Sequence, residues 1–160
     1  MEISHEGLSL IKRYEALKLS AYDDFSGKTV SPGQPVKGVL TIGYGHIGAD
    51  VKAGQTITEA QADAWLAQDV KRAVAEVNRL FGSIHLRQCQ IDALVSFEFN
   101  TGGLELMGST GKPQLSGLAS AVIDRRWADV PYELSRWRKD NGRSLLGWPL
   151  RRVGVLVLLT

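Results

Sequence analysis

Residues 58–82 read TEAQADAWLAQDVKRAVAEVNRLFG, and this stretch sets the architecture. Thr58 and Gln61 form a capping box, in which a hydroxyl and an amide serve backbone N–H groups that a helix start leaves unpaired. From there Ala62, Leu66, Ala73, Val77 and Leu80, flanked by Trp65, Val70 and Val74, carry one apolar stripe to Phe81, and Gly82 ends it. The spacing predicts a helix over about 58–81 that joins two lobes, about 1–58 and 82–160, of a single domain.

On the N-terminal side, Leu8, Ile11 and Glu15, with Leu10 and Tyr14 beside them, recur at helical spacing after Ser4, a residue suited to an N-cap. Glu15 falls near the end of that helix. From Leu19 to His46 the pattern breaks into short apolar pieces separated by Ser26-Gly27 and Ser31-Pro32-Gly33-Gln34-Pro35, then Val39-Leu40-Thr41-Ile42-Gly43, which reads as strands and turns. On the C-terminal side a helix is expected over Leu86 to Asn100, with Ile91, Leu94, Val95 and Phe99 inward and Gly102-Gly103 as the stop. Gly108 to Lys112 is a break, Leu115 to Ile123 is weakly helical, Trp127 to Lys139 is a better helix with Pro131 near its start, and Asn141-Gly142 is a turn. Strands cluster only in the first third. The fold class is therefore α+β and mostly helical: a small N-terminal lobe with a β-hairpin or three-stranded sheet, a connecting helix, and a helical C-terminal lobe. A cleft in such an arrangement suits an extended polymer.

Composition narrows the function classes. With 44% hydrophobic and 22% charged residues in 160 positions, the chain folds as an ordinary globular domain. One cysteine, Cys89, rules out an internal disulfide. The first seven residues lack the basic start and apolar run of a secretory signal, so synthesis in the cytoplasm without a signal peptide is expected. Val153 to Leu159 is too short to span a bilayer, which takes ~20 residues, and is either a buried terminal segment or an exposed, sticky tail. Net charge is +2, yet residues 125–152 hold eight Lys or Arg against three Asp or Glu, a face suited to an anionic envelope surface or wall polymer. No nucleic-acid-binding motif accompanies it, and nucleic acid is not expected as a partner. His85 and Cys89 stand four apart, but a zinc site needs three or four ligands; neither a metal nor a cofactor is expected.

Three residues carry candidate chemistry. Glu15, partly buried at a helix end, is suited to hold a proton for a leaving oxygen; Asp24, in a wetter loop, is suited to stay ionised and to orient or deprotonate a water. Asp23 is a second candidate for that base. Thr41 offers a hydroxyl on a stiff β-branched carbon that fixes the water by hydrogen bonding. Together they suit hydrolysis of a glycosidic bond, which takes two carboxyl groups flanking the scissile oxygen. His46 is expected to support them, bonded to Asp24 or Glu15. Trp127, Trp137 and Trp148 read as core anchors and stay outside the site.

The order of Glu15, Asp24 and Thr41-Ile42-Gly43-Tyr44-Gly45-His46 resembles the phage-type lysozymes, the endolysin family, and the resemblance covers nearly the whole chain. In that family an aspartate follows the glutamate of the first helix by nine positions, as Asp24 follows Glu15, and a threonine precedes the histidine by five, as Thr41 precedes His46. The spacing favours Asp24 over Asp23. Ser96 to Gly102 and the Gly147, Arg151-Arg152 segment are similar to the family's later motifs. The resemblance implies a lysozyme-like fold and catalytic roles for Glu15, Asp24 and Thr41. It also implies substrate contacts at Ile47, Phe99, Asn100 and Thr110. The implied reaction is cleavage of the β-1,4 bond between N-acetylmuramic acid and N-acetylglucosamine in bacterial peptidoglycan, by a monomer that a pore-forming holin releases, ending in cell lysis. Two departures stand out: the long Asp24 to Thr41 loop, and Gly111-Lys112-Pro113 after Thr110, where the family continues into a helix. A lytic transglycosylase and a non-enzymatic envelope-permeabilising protein are the rival readings.

Overall fold

A computed structural model describes residues 1–109, 111–137, 139–140 and 143–144. Thr110, Asn141-Gly142, Trp148, the Gly147 to Arg152 segment and the apolar run from Val153 to Leu159 lie outside the described residues, as does part of the basic 125–152 region. The chain divides into two compact units, Ile11–Lys71 and Met1–Leu10 together with the residues from Arg72 onward.

The elements of the first part are α1 (His5–Tyr14), β1 (Lys18–Asp23), β2 (Leu40–Gly43), β3 (His46–Ile47) and α2 (Glu59–Phe81). Ser4 caps α1 by accepting the Gly7 N–H at 3.0 Å. Thr58 and Gln61 make the expected reciprocal box, Gln61 N–H to the Thr58 hydroxyl at 3.2 Å and Thr58 N–H to the Gln61 side chain at 2.9 Å. The three strands form an antiparallel sheet in the order β1-β2-β3, with Tyr22 opposite Thr41 and Thr41 opposite Ile47. An irregularity in β1 between Lys18 and Tyr22 shifts its register against β2. Beyond β1 the chain pairs again, Ser20 with Thr56 and Tyr22 with Thr29, so β1 is not left as an open edge. Ile11, Ala21, Val30, Ile42, Val51, Ile57, Ala62, Leu66 and Val70 are buried in the core of this unit.

The other unit is built on α3 (Gln88–Thr101), with Leu94, Val95 and Phe97 fully buried and joined by Val77 and Phe81 of α2. Gly102 closes α3 in the left-handed region at φ 57°, its N–H returning to the Glu98 carbonyl. Asp92, buried on α3, accepts the backbone N–H and hydroxyl of Ser4 at 2.8 and 2.6 Å, which ties the chain's first residues to α3. Trp137 meets Phe97 edge-on with ring centroids 5.1 Å apart and lies against Gly103, where any side chain would collide with its ring. Phe97, rather than the half-buried Phe99, is thus the inward aromatic of α3.

A second hairpin corrects the expectation that strands occur only in the first third. β4 (Glu105–Met107) pairs antiparallel with β5 (Pro113–Leu115) around the Gly108 to Lys112 break, replacing the start of the helix expected from Leu115. Its strands are three residues each, Met107 is 75% exposed, and no residue of either strand is buried, so no apolar alternation marks them. Helix α4 (Gly117–Ile123) follows with Ser116 as its N-cap, then a 3-10 turn (Trp127–Asp129) and α5 (Val130–Arg136). Pro131 sits in the first turn of α5, where its missing N–H costs nothing. Two short strands, β6 (Lys139–Asp140) and β7 (Arg143–Ser144), pair antiparallel.

Candidate active site

The unit Ile11–Lys71 contains Glu15, Asp24, Thr41 and Ile47, while Phe99 and Asn100 belong to the other unit. Glu15 is the residue after α1, half-buried, and its N–H still donates to the Ile11 carbonyl at 3.0 Å, so the helical turn fixes its backbone. Asp24 follows β1 directly and is exposed. Its position is set by the sheet: the Asp24 N–H donates to the Val39 carbonyl at 3.1 Å, extending the β1–β2 ladder by one residue.

Tyr22 lies in register with Thr41 across that ladder and two residues before Asp24. Burial, then the negative charges of Glu15 and Asp24, push its phenol above the ordinary value. One ring therefore feels both carboxylates. The Lys18 ammonium stands 4.2 Å from the centre of the same ring. No local pattern in the sequence marks Tyr22 for this position.

The two adjacent aspartates have opposite environments. Asp23 is 3% exposed and accepts from the N–H groups of Gly38 (2.9 Å), Phe25 (3.1 Å) and Lys37 (3.3 Å) and from the Ser26 hydroxyl (3.1 Å). Burial alone would raise its pKa, but the bonds from Gly38, Phe25, Lys37 and Ser26 outweigh it and hold the carboxyl below its usual range. That carboxylate is committed to the loop. Asp24, by contrast, presents its carboxylate at the surface and receives the Val39 N–H at 2.6 Å.

Thr41 is 4% exposed, and its hydroxyl donates to the Val39 carbonyl at 3.0 Å. With its single proton so placed, the oxygen is left to act as an acceptor. The turn after β2 depends on glycine: Gly43 and Gly45 have φ of 66° and 89°, a region that side chains on a tight turn disfavour. That turn returns the chain as β3 and sets Ile47, 56% exposed, opposite Thr41.

His46 does not bond Asp24 or Glu15. Its Nδ1 meets Asp69 of α2 at 2.9 Å, its Nε2 meets Asp50 at 3.2 Å, and its ring stacks on Trp65 at 4.5 Å. Desolvation would lower its pKa, but bonding to Asp69 and then Asp50 prevails and raises it. A raised histidine pKa adds stability in full below the unfolded value of about 6.5, and the gain is lost as pH climbs through the folded value. His46→Asn is accordingly expected to cost about 1.5–3 kcal/mol near pH 5.5, the range for hydrogen bonds to charged groups, and clearly less at pH 9. Urea midpoints at the two pH values measure this; a cost independent of pH rejects the ion-pair account.

In the other unit, the Asn100 side chain donates to the Ser96 carbonyl at 2.7 Å, and Asn100 and Phe99 are both half-buried. Glu98, also half-buried, has its pKa raised chiefly by burial, although its carboxylate accepts the Leu104 N–H at 3.0 Å. Arg79 bridges Glu76 and Glu105; in the basic segment Arg126 pairs with Asp124 and Asp129 and Arg136 with Glu133, so these two arginines are locally neutralised.

The phage lysozyme family model matches residues 12–154, nearly the full length, a span that includes the catalytic candidates Glu15, Asp24 and Thr41. The chain belongs to the phage lysozyme family. An endolysin of Bacillus phage PZA is 38% identical over 152 residues, a match that takes in 95% of this chain and 52% of that protein. The chain thus spans about half the length of that relative. Among solved structures, the endolysin of Escherichia coli O157:H7 phage FAHEc1 superposes with a TM-score of 0.75 at 30% identity, covering 99% of this chain and 93% of that one. The muramidase domain of SpmX from Asticaccaulis excentricus does so with a TM-score of 0.71 at 31% identity, covering 99% and 97%. The lysozyme-like α+β fold expected from the sequence is the fold of these relatives.

Proposed function

We propose that this phage lysozyme family member is an endolysin-type muramidase, hydrolysing the β-1,4 bond between N-acetylmuramic acid and N-acetylglucosamine in peptidoglycan. The observation that carries the reading is Tyr22, in register with Thr41 and subject to the charges of both Glu15 and Asp24, with Val39 bonded to both Asp24 and Thr41. Glu15 gives its proton to the leaving sugar oxygen as the glycosidic C–O bond breaks. Asp24 accepts a proton from the attacking water, whose oxygen bonds to the sugar carbon. Thr41, its own proton held by Val39, accepts the water's other hydrogen and so aims the remaining lone pair.

In this reading residues 1–160 form one lysozyme-like catalytic domain, with lobes of about 1–58 and 82–160 joined by 58–81. Ile47, Phe99, Asn100 and Thr110 contact the glycan, no cofactor takes part, and the protein acts as a monomer. It is made in the host cytoplasm, and a holin gives it access to peptidoglycan outside the inner membrane, with residues 125–152 favouring the anionic envelope. Among the described residues no helix is long and apolar enough to cross a membrane.

Digestion of purified sacculi followed by mass spectrometry of the released muropeptides tests the reading. Reducing N-acetylmuramic acid ends are expected. A dominant anhydro product identifies a lytic transglycosylase instead, a reaction with no water for Asp24 and Thr41 to direct.

A further inference from the structure

We propose that the Gly38–Val39 segment is the positioning element of this site, its Val39 N–H seating the Asp24 carboxylate and its Val39 carbonyl fixing the hydroxyl proton of Thr41. The inference rests on the hydrolase reading above, and concerns how two of its residues are held. Val39 spends its whole backbone on them: its N–H donates to Asp24 Oδ1 at 2.6 Å, and its carbonyl accepts both the Asp24 N–H at 3.1 Å and the Thr41 hydroxyl at 3.0 Å. An exposed carboxylate on a flexible side chain has several rotamers open to it, and one charge-assisted bond from a fixed N–H selects among them.

Gly38 supplies the space. A Cβ at that position would overlap Asp24 Oδ1 and would stand 2.8 Å from both Asp23 Oδ1 and the Phe25 Cβ. Its φ is outside the left-handed region, so the requirement for glycine is contact with the carboxylates and not backbone strain. Asp23 reinforces the arrangement by taking the Gly38 and Lys37 N–H groups, which holds the peptide from its other side. The long Asp24 to Thr41 loop therefore does not loosen the site; its last two residues before β2 build it.

The test is Gly38→Ala, whose methyl evicts the Asp24 carboxylate from its seat without removing any ionisable group. On soluble peptidoglycan fragments kcat is expected to fall about 10–100-fold, the scale for misplacing a reacting group by about an ångström, while KM stays within about 3-fold. Should the alanine variant fold poorly by circular dichroism, an ester in place of the Val39 amide deletes only the N–H and is expected to lower kcat in the same selective way. Val36→Ala, in the exposed part of the same loop, is expected to leave kcat unchanged. Wild-type kcat in a folded Gly38→Ala or in the ester variant overturns the positioning role. Asp24→Asn separates the two levels: if it is inactive while Gly38→Ala is normal, only this inference fails, and if it turns over normally, both fail.

Discussion

Glu15→Gln is expected to fold like the parent protein and to turn over purified sacculi about 10²–10⁴-fold more slowly, the range for loss of a general acid. Glutamine keeps the size and hydrogen-bonding reach of the side chain but has no proton to give a leaving oxygen. The backbone there is held by the Glu15 N–H bond to Ile11, which the substitution leaves alone, so the melting temperature should stay within a few degrees. Loss of rate with an unchanged melt assigns Glu15 to the chemistry. Near-normal turnover rejects it as the acid, and with it the division of labour between the two carboxylates.

Asp23→Ala is expected to act on stability, lowering it by about 2–4 kcal/mol through N–H groups left without an acceptor. Three backbone N–H groups and one hydroxyl converge on this buried side chain, and the loop from Phe25 to Gly38 is threaded through those bonds. Because the bonds hold the folded-state pKa below its unfolded value, the contribution is present above about pH 3.9 and is lost as pH falls through the folded value. Urea denaturation at pH 7 and at pH 3 should thus show a large gap between parent and variant at the first and a narrower one at the second. A variant within about 0.5 kcal/mol of the parent at pH 7, no more than an ordinary surface change, would mean that the loop stands without Asp23.

These neighbours show which parts of the molecule a sequence exposes. The family spacing from Glu15 favours Asp24 over Asp23, while the difference in their surroundings, four donors gathered on Asp23, comes from residues 25, 26, 37 and 38 folding back, which no local pattern records. Caps and stripes were legible because they are local: Ser4, the Thr58–Gln61 box, the α2 stripe and Gly102 are each written within a turn or two of helix. The β4–β5 hairpin was not, since three-residue strands with no buried residue carry no alternation. The sequence points to a supporting role for His46 but not to its partners, because Asp69 lies 23 positions away and reaches it only through the packing of α2. Phe97 and Phe99 sit two apart on one helix, so which of them is inward depends on Trp137, far along the chain. Gly38 and Val39 act through backbone atoms, to which side-chain motifs are blind.

The clasp formed by Asp23 and Asp24 on residues 37–39 also separates loop length from site geometry. Residues 31–36 are all exposed, and the return of the chain to β2 is fixed by bonds made after them. Added length there costs only closure entropy, about 0.6 kcal/mol per doubling, because the strain of a longer excursion ends at the clasp. The Ser31-Pro32-Gly33-Gln34 turn is therefore the natural place to graft a wall-targeting peptide or an affinity tag, with the carboxylates held to the same seat whatever the loop is made to carry.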